Sequence, residues 1–178
     1  MMTNYSIFNK SNSPLYTEIT NTFSSPGIES APAEDADKSG LLYTLSSGSV
    51  SVPSGSSLLL QVSNPGGSGK TMYVSRVMGG VTAAAAVLMH SGGTITGGTT
   101  PTPVNMLFGS SNVSSMTTRQ NTGSLTGTPV TFASLPVTAG LYTIPIGGSI
   151  VVPPGQTFTV TVGTGALNAS AVVTWWEF

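Results

Sequence analysis

The chain is 178 residues long, carries five Lys/Arg against six Asp/Glu for a net charge of −1, and contains no cysteine. A domain of this size buries about 70% of its unfolded surface and forms a core without staples, while disulfides, thiolate chemistry and cysteine-ligated metal centres are excluded. No Lys/Arg cluster is present to attract nucleic acid, no run approaches the roughly 18 apolar residues of a membrane-spanning helix, and the first 30 residues show no recognisable secretory signal.

Acidic charge is concentrated in the N-terminal region, and between residues 39 and 176 the charged side chains are Lys70, Arg76 and Arg119. Lys10, Glu18, Glu29, Glu34, Asp35, Asp37 and Lys38 precede residue 39, and the remaining acid is Glu177, so residues 39 to 176 contain no carboxylate side chain. Mixed surface charge normally resists association; a body without it presents hydroxyls, amides and backbone that suit being covered. Residues 1 to 38 read as an extended N-terminal arm and linker, with 26-PGIESAPAEDADK-38 as the linker proper. Within the arm, Leu15, Thr17 and Ile19 alternate with Tyr16, Glu18 and Thr20, and Phe23 adds further apolar surface. This pattern predicts an arm that docks, with a neighbouring subunit as one host.

From residue 39 to 178 the chain reads as a β-sandwich domain. Short apolar or alternating runs occur at 41-LLYTL-45, 49-SVSV-52, 57-SLLLQV-62, 71-TMYVSRV-77, 104-VNMLF-108, 130-VTFASL-135, 149-SIVV-152, 156-QTFTVTV-162 and 170-SAVVTWWEF-178, separated by Gly, Pro, Asn and Ser clusters. The stretch 81-VTAAAAVLM-89 fits helix by its alanines and strand by its alternation; the lack of a cap or charged face favours strand. Residues 91 to 103 and 109 to 127 read as loops.

Residues 40 to 62 repeat at 140 to 162: Gly48, Ser49, Val52, Pro53, Gly55 and Val62 match Gly148, Ser149, Val152, Pro153, Gly155 and Val162. Each copy is a strand ending in Val-Pro-x-Gly, a tight turn, and a second strand. The duplication predicts two related halves across one core, as in a jelly roll. The expected fold is therefore all-β, a jelly-roll-like antiparallel β-sandwich with an extended N-terminal arm.

Little in the sequence can do chemistry. The segment 64-NPGGSGKT-71 resembles a phosphate-binding loop, but Asn64 stands where the pattern needs glycine, and the strand-like 71-TMYVSRV-77 follows where a helix is required. It reads as a hairpin turn. His90 is the one histidine, so metal sites built on His clusters are excluded, and it reads as a loop residue before Gly92 and Gly93. No cofactor, catalytic residue or metal ligand is assigned.

Trp175 and Trp176 are adjacent, so in a strand they point to opposite faces. The outward indole is covered by a neighbouring subunit or by the arm folded back, or else it forms a platform for a sugar ring. Leu15, Tyr16, Ile19, Phe23, Trp175 and Trp176 are the expected subunit-interface residues.

The doubled 49-SVSVPSG-55 and 149-SIVVPPG-155 strands, the Ser/Thr/Gly body and the polar arm resemble the jelly-roll subunits of bacterial endospore appendage fibres and of phage virion fibres. The resemblance implies a non-enzymatic, self-assembling subunit of an extracellular surface assembly or virion. Its partners would be copies of itself and other fibre or virion proteins, and its arm would complete a neighbour's sheet. The cysteines that staple appendage subunits are missing, so such an assembly would hold by strand pairing and burial. The alternative function is a carbohydrate-binding or adhesive β-sandwich module.

Overall fold

The computed structural model describes residues 32 to 178, together with the backbone of a short antiparallel ladder between β1 (Asn9–Lys10) and β2 (Ser13–Pro14). The arm residues Leu15, Tyr16, Ile19 and Phe23 lie outside the described residues. Among the described residues a helix, α1 (Pro32–Lys38), precedes the strands β3 (Leu42–Ser46), β4 (Val50–Val52), β5 (Ser57–Ser63), β6 (Met72–Val81), β7 (Ala85–Ser91), β8 (Val104–Asn105), β9 (Thr117–Gly123), β10 (Val130–Val137), β11 (Gly140–Val152), β12 (Thr157–Val162) and β13 (Leu167–Glu177).

The strands form two antiparallel sheets, in the orders β11-β6-β13-β3-β8, with β4 also on β13, and β10-β7-β12-β5-β9. Without β8 and β9, the layers are β3/β4-β13-β6-β11 and β5-β12-β7-β10, the winding of an eight-stranded jelly roll. β8 and β9 come from the long connection between β7 and β10 and extend one side of each layer. The core between the layers is built from alternate residues of facing strands, among them Tyr43, Leu45, Leu58, Leu60, Val74, Val77, Phe158, Val160, Val173 and Trp175.

The sequence repeat is a repeated corner. β4 and the end of β11 lie in one sheet, and each passes through its Val-Pro-x-Gly turn into β5 or β12 of the other. The turns match: Ser56 N–H donates to Pro53 O and Gln156 N–H to Pro153 O, each at 3.1 Å, with φ of 78° at Gly55 and 81° at Gly155. β5 and β12 then pair so that Leu60 faces Val160, with Leu59 opposite Thr161 and Gln61 opposite Thr159. The repeat-equivalent residues Leu60 and Val160 therefore face one another, the flanking pairs are related by exchange of the two copies, and an approximate two-fold axis passes through the Leu60–Val160 pair.

Several readings of the sequence are corrected. The C-terminal part of the supposed linker is α1. Its first turn begins with Pro32 and holds Glu34 and Asp35, its last turn holds Lys38, and these residues suit the helix dipole. Its end is a Schellman motif. Gly40 takes φ 66°, Leu41 N–H donates to Ala36 O at 2.7 Å, and Gly40 N–H donates to Asp37 O at 2.9 Å. Residues 81 to 89 are the end of β6, a turn and the start of β7, so the strand reading of this stretch holds apart from the turn. The expected loop 109 to 127 contains β9, whose backbone pairs with β5 from Ser57↔Gly123 to Ser63↔Thr117. His90 lies in β7 rather than in a loop.

Candidate interaction surface

The adjacent tryptophans do point to opposite faces, but neither is free. Trp175 is 0% exposed between the layers, and its indole N–H donates to Glu177 Oε1 at 3.0 Å. Trp176 lies on the outer face of the sheet and is 5% exposed. It stacks on Tyr73 with ring centroids 5.6 Å apart, and it clusters with Leu42 and with Ala33 and Ala36 of α1. The cover over the outward indole is thus the chain's own helix. Of the covers expected for the outward indole, the folded-back arm is the one present, since Ala33 and Ala36 fall within residues 1 to 38. An exposed indole platform for a sugar is absent for the same reason.

Glu177 is the carboxylate that the body keeps, and it is fully buried. It accepts hydrogen bonds from the Trp175 indole, from Ser114 Oγ–H and, at 3.0 Å, from Ser115 N–H; Lys70 Nζ lies 3.6 Å away. The last strand is thereby tied to the connection that follows β8. Burial pushes the Tyr43 hydroxyl pKa above its ordinary value, and the negative charge of Glu177 adds to the shift. Burial likewise raises that of Tyr142, whose hydroxyl donates to Ser170 O at 2.9 Å. These bonds hold the fold, and none presents a reactive group to solvent.

The turn that resembles a phosphate loop is closed on itself. Asn64 Nδ2 donates to Lys70 O at 2.8 Å and to Val152 O at 2.9 Å, while Ser68 N–H donates to Pro65 O at 3.0 Å. Among the described residues, no three His, Asp or Glu side chains converge on a metal site.

His90 is buried, with Nδ1 2.8 Å from Thr131 Oγ1 of β10 and Nε2 3.1 Å from Thr161 Oγ1 of β12. Burial lowers its pKa, and β7, β10, β11 and β12 carry no Asp, Glu, Lys or Arg to offset an imidazolium. The unfolded chain therefore takes up this proton first. The His90 contribution to stability is complete above the ordinary histidine pKa of about 6.5 and is lost as pH falls from there toward the lower folded-state value. Urea midpoints at neutral and mildly acid pH should fall further for the wild type than for His90→Gln. Equal falls would remove His90 as a cause.

The two sides of the sandwich differ. On the β8/β9 side, β8 is two residues long, and the outer edge of β9 is bridged by Thr99, which exchanges two backbone hydrogen bonds of 2.8 Å with Gln120. Short or covered edges of this kind do not recruit strands. On the other side, β10 pairs with β7 alone and β11 with β6 alone among the described strands, so two neighbouring edges are open. Between them Ala133, Leu135, Val137, Ile144, Ile146 and Ile150 are only partly buried against the core. At one end this seam widens into a groove of about 410 Å³ whose walls include Phe132, Ile150, Val151 and Phe158. Phe132 is 48% and Val151 49% exposed, and farther along Leu141 is 94% exposed. Phe132 sits at a register shift in β10, which turns it toward Phe158 with centroids 6.3 Å apart. Pro136 and Pro145 each remove one donor from these edges, and β11 shifts register between Pro145 and Ile150. A strand added here finds only short stretches of unbroken ladder, so its side chains must supply most of the contact.

No family model, curated protein or solved structure matches the chain. The case for function therefore rests on this surface. Sequence reasoning missed the seam because its residues read as ordinary strand residues, and only the topology leaves them at an edge. Glu177 could have been flagged, since a lone carboxylate beside tryptophan in an apolar strand needs partners if buried.

Proposed function

We propose that this protein is a structural, self-assembling subunit of an extracellular fibre or virion, joined to copies of itself by addition of its N-terminal arm to a neighbour's sheet. The observation that carries the reading is the pairing of two features. The body has no carboxylate side chain from residue 39 to 176, and among the described strands one side of its sandwich leaves two adjacent edges open over an apolar seam. Proteins that must stay apart cover such edges or charge them. Here the complement is available within the same chain, as an arm in which Leu15 and Ile19 fall on one face of an extended segment and Glu18 and Thr20 on the other. The groups that would serve catalysis are committed instead to internal bonds: Glu177 to Trp175, Ser114, Ser115 and Lys70, and His90 to two threonines. Negative-stain imaging of the purified full chain should reveal fibres or closed rings, with light scattering that rises with protein concentration. A chain that stays monomeric at high concentration with its arm intact would end this reading.

A further inference from the structure

We infer that the seam between β10 and β11 is the acceptor for residues Leu15 to Phe23 of a second copy, held mainly by apolar side chains entering the groove beside Phe132 and Val151. This inference rests on the self-assembly reading and adds to it the site and the mode of attachment.

Four observations converge. First, the faces match. In an extended segment, Leu15, Ile19 and Phe23 share one face with Thr17 and Asn21, while Tyr16, Glu18, Thr20 and Thr22 share the other. The first face carries no charge, and neither do the strands that form the seam, so Glu18 stays in water when that face is buried. Second, the lengths match. Nine extended residues span about 30 Å, close to the run of β10, which has eight residues.

Third, the element that follows the arm already touches this side: α1, which begins at Pro32, contacts β11 as well as β13 and β3. Fourth, the tether is long. Residues 24 to 31 separate Phe23 from Pro32 and reach up to about 26–29 Å. Two to five residues would connect to an adjacent edge, and α1 already touches β11, so this length suits a neighbour's seam. The prolines and register shifts on both edges limit backbone pairing, which leaves the groove as the anchor.

The absence of native cysteine allows a direct test. Full-length Phe23→Cys and Val151→Cys chains are mixed, allowed to assemble and oxidised. A disulfide-linked dimer should dominate, and Phe23→Cys mixed with Thr117→Cys, on the opposite side, should yield at least about tenfold less. Phe132→Asp, at a half-exposed position, should abolish the cross-link while the circular dichroism spectrum stays unchanged. Assembly that still needs the arm but gives no 23–151 cross-link would overturn this site and leave the self-assembly reading standing. A full chain that does not assemble would sink both. A double Phe23→Cys/Val151→Cys chain that cross-links only within itself, with none formed between mixed single variants, would place the arm on its own seam and overturn the second-copy occupant.

Discussion

Glu177→Ala is expected to destabilise the protein by about 3 kcal/mol, read as a lower urea midpoint with an unchanged slope. The carboxylate is fully buried and is the acceptor for the Trp175 indole N–H, the Ser114 hydroxyl and the Ser115 N–H. Alanine would leave the indole and Ser115 donors without this acceptor, and each buried donor without a partner costs about 1–3 kcal/mol. Ser114 can turn its hydroxyl elsewhere and adds less. The ion pair with Lys70 is the smaller part, since the lysine side chain is 32% exposed and 3.6 Å away. Lys70→Met should therefore cost less than about 1 kcal/mol. The ratio of the two losses is the informative quantity. Equal, small losses would mean that the carboxylate is not what ties the last strand to the connection after β8. That connection is also braced at its start, where Asn105 Nδ2 donates to Gly40 O at 2.9 Å and Leu107 N–H donates to Asn105 Oδ1 at 2.9 Å. Loosening of residues 106 to 116 in Glu177→Ala should appear as faster amide exchange there than across β5 and β12.

Features set by local chemistry could be read from the sequence. The two Val-Pro-x-Gly corners were legible because proline and glycine fix a turn whatever lies around it, and a duplicated corner implies two related halves. β12 was legible because 156-QTFTVTV-162 alternates over its whole length. What was missed depends on distant partners. β9, Thr117–Gly123, has almost no apolar side chain and becomes a strand by backbone pairing with β5. α1 is seven residues long, too short to persist alone, and it is held by covering Trp176 and Leu42. His90 looked like a loop residue because two glycines follow it, and its burial is made by Thr131 and Thr161, 41 and 71 positions away. The opposite orientation of the two indoles followed from strand geometry, whereas the cover over Trp176 did not. The open side of the sandwich is the least legible feature, since being at an edge belongs to the strand order and to no single residue.

Deleting residues 1 to 31 is expected to abolish assembly while leaving the fold and its denaturation midpoint intact, because α1 and all the strands of the sandwich lie beyond that point. Scattering should fall to the monomer value. A cut at residue 38 is a different experiment, although the sequence suggested that boundary between arm and domain. It also removes α1 and uncovers Trp176, Leu42 and Tyr73. Uncovering a tryptophan and a leucine costs about 2–4 kcal/mol, and the emission of Trp176 should shift to the red. If both truncations are monomeric but only the longer one is destabilised and red-shifted, the arm joins subunits and the helix seals its own subunit. If polymers persist after removal of residues 1 to 31, the described body associates through its own surfaces and the arm has no part in the joint. If the shorter cut already shifts the fluorescence, residues before Pro32 contribute to the cover over Trp176, and the division of labour between arm and helix fails.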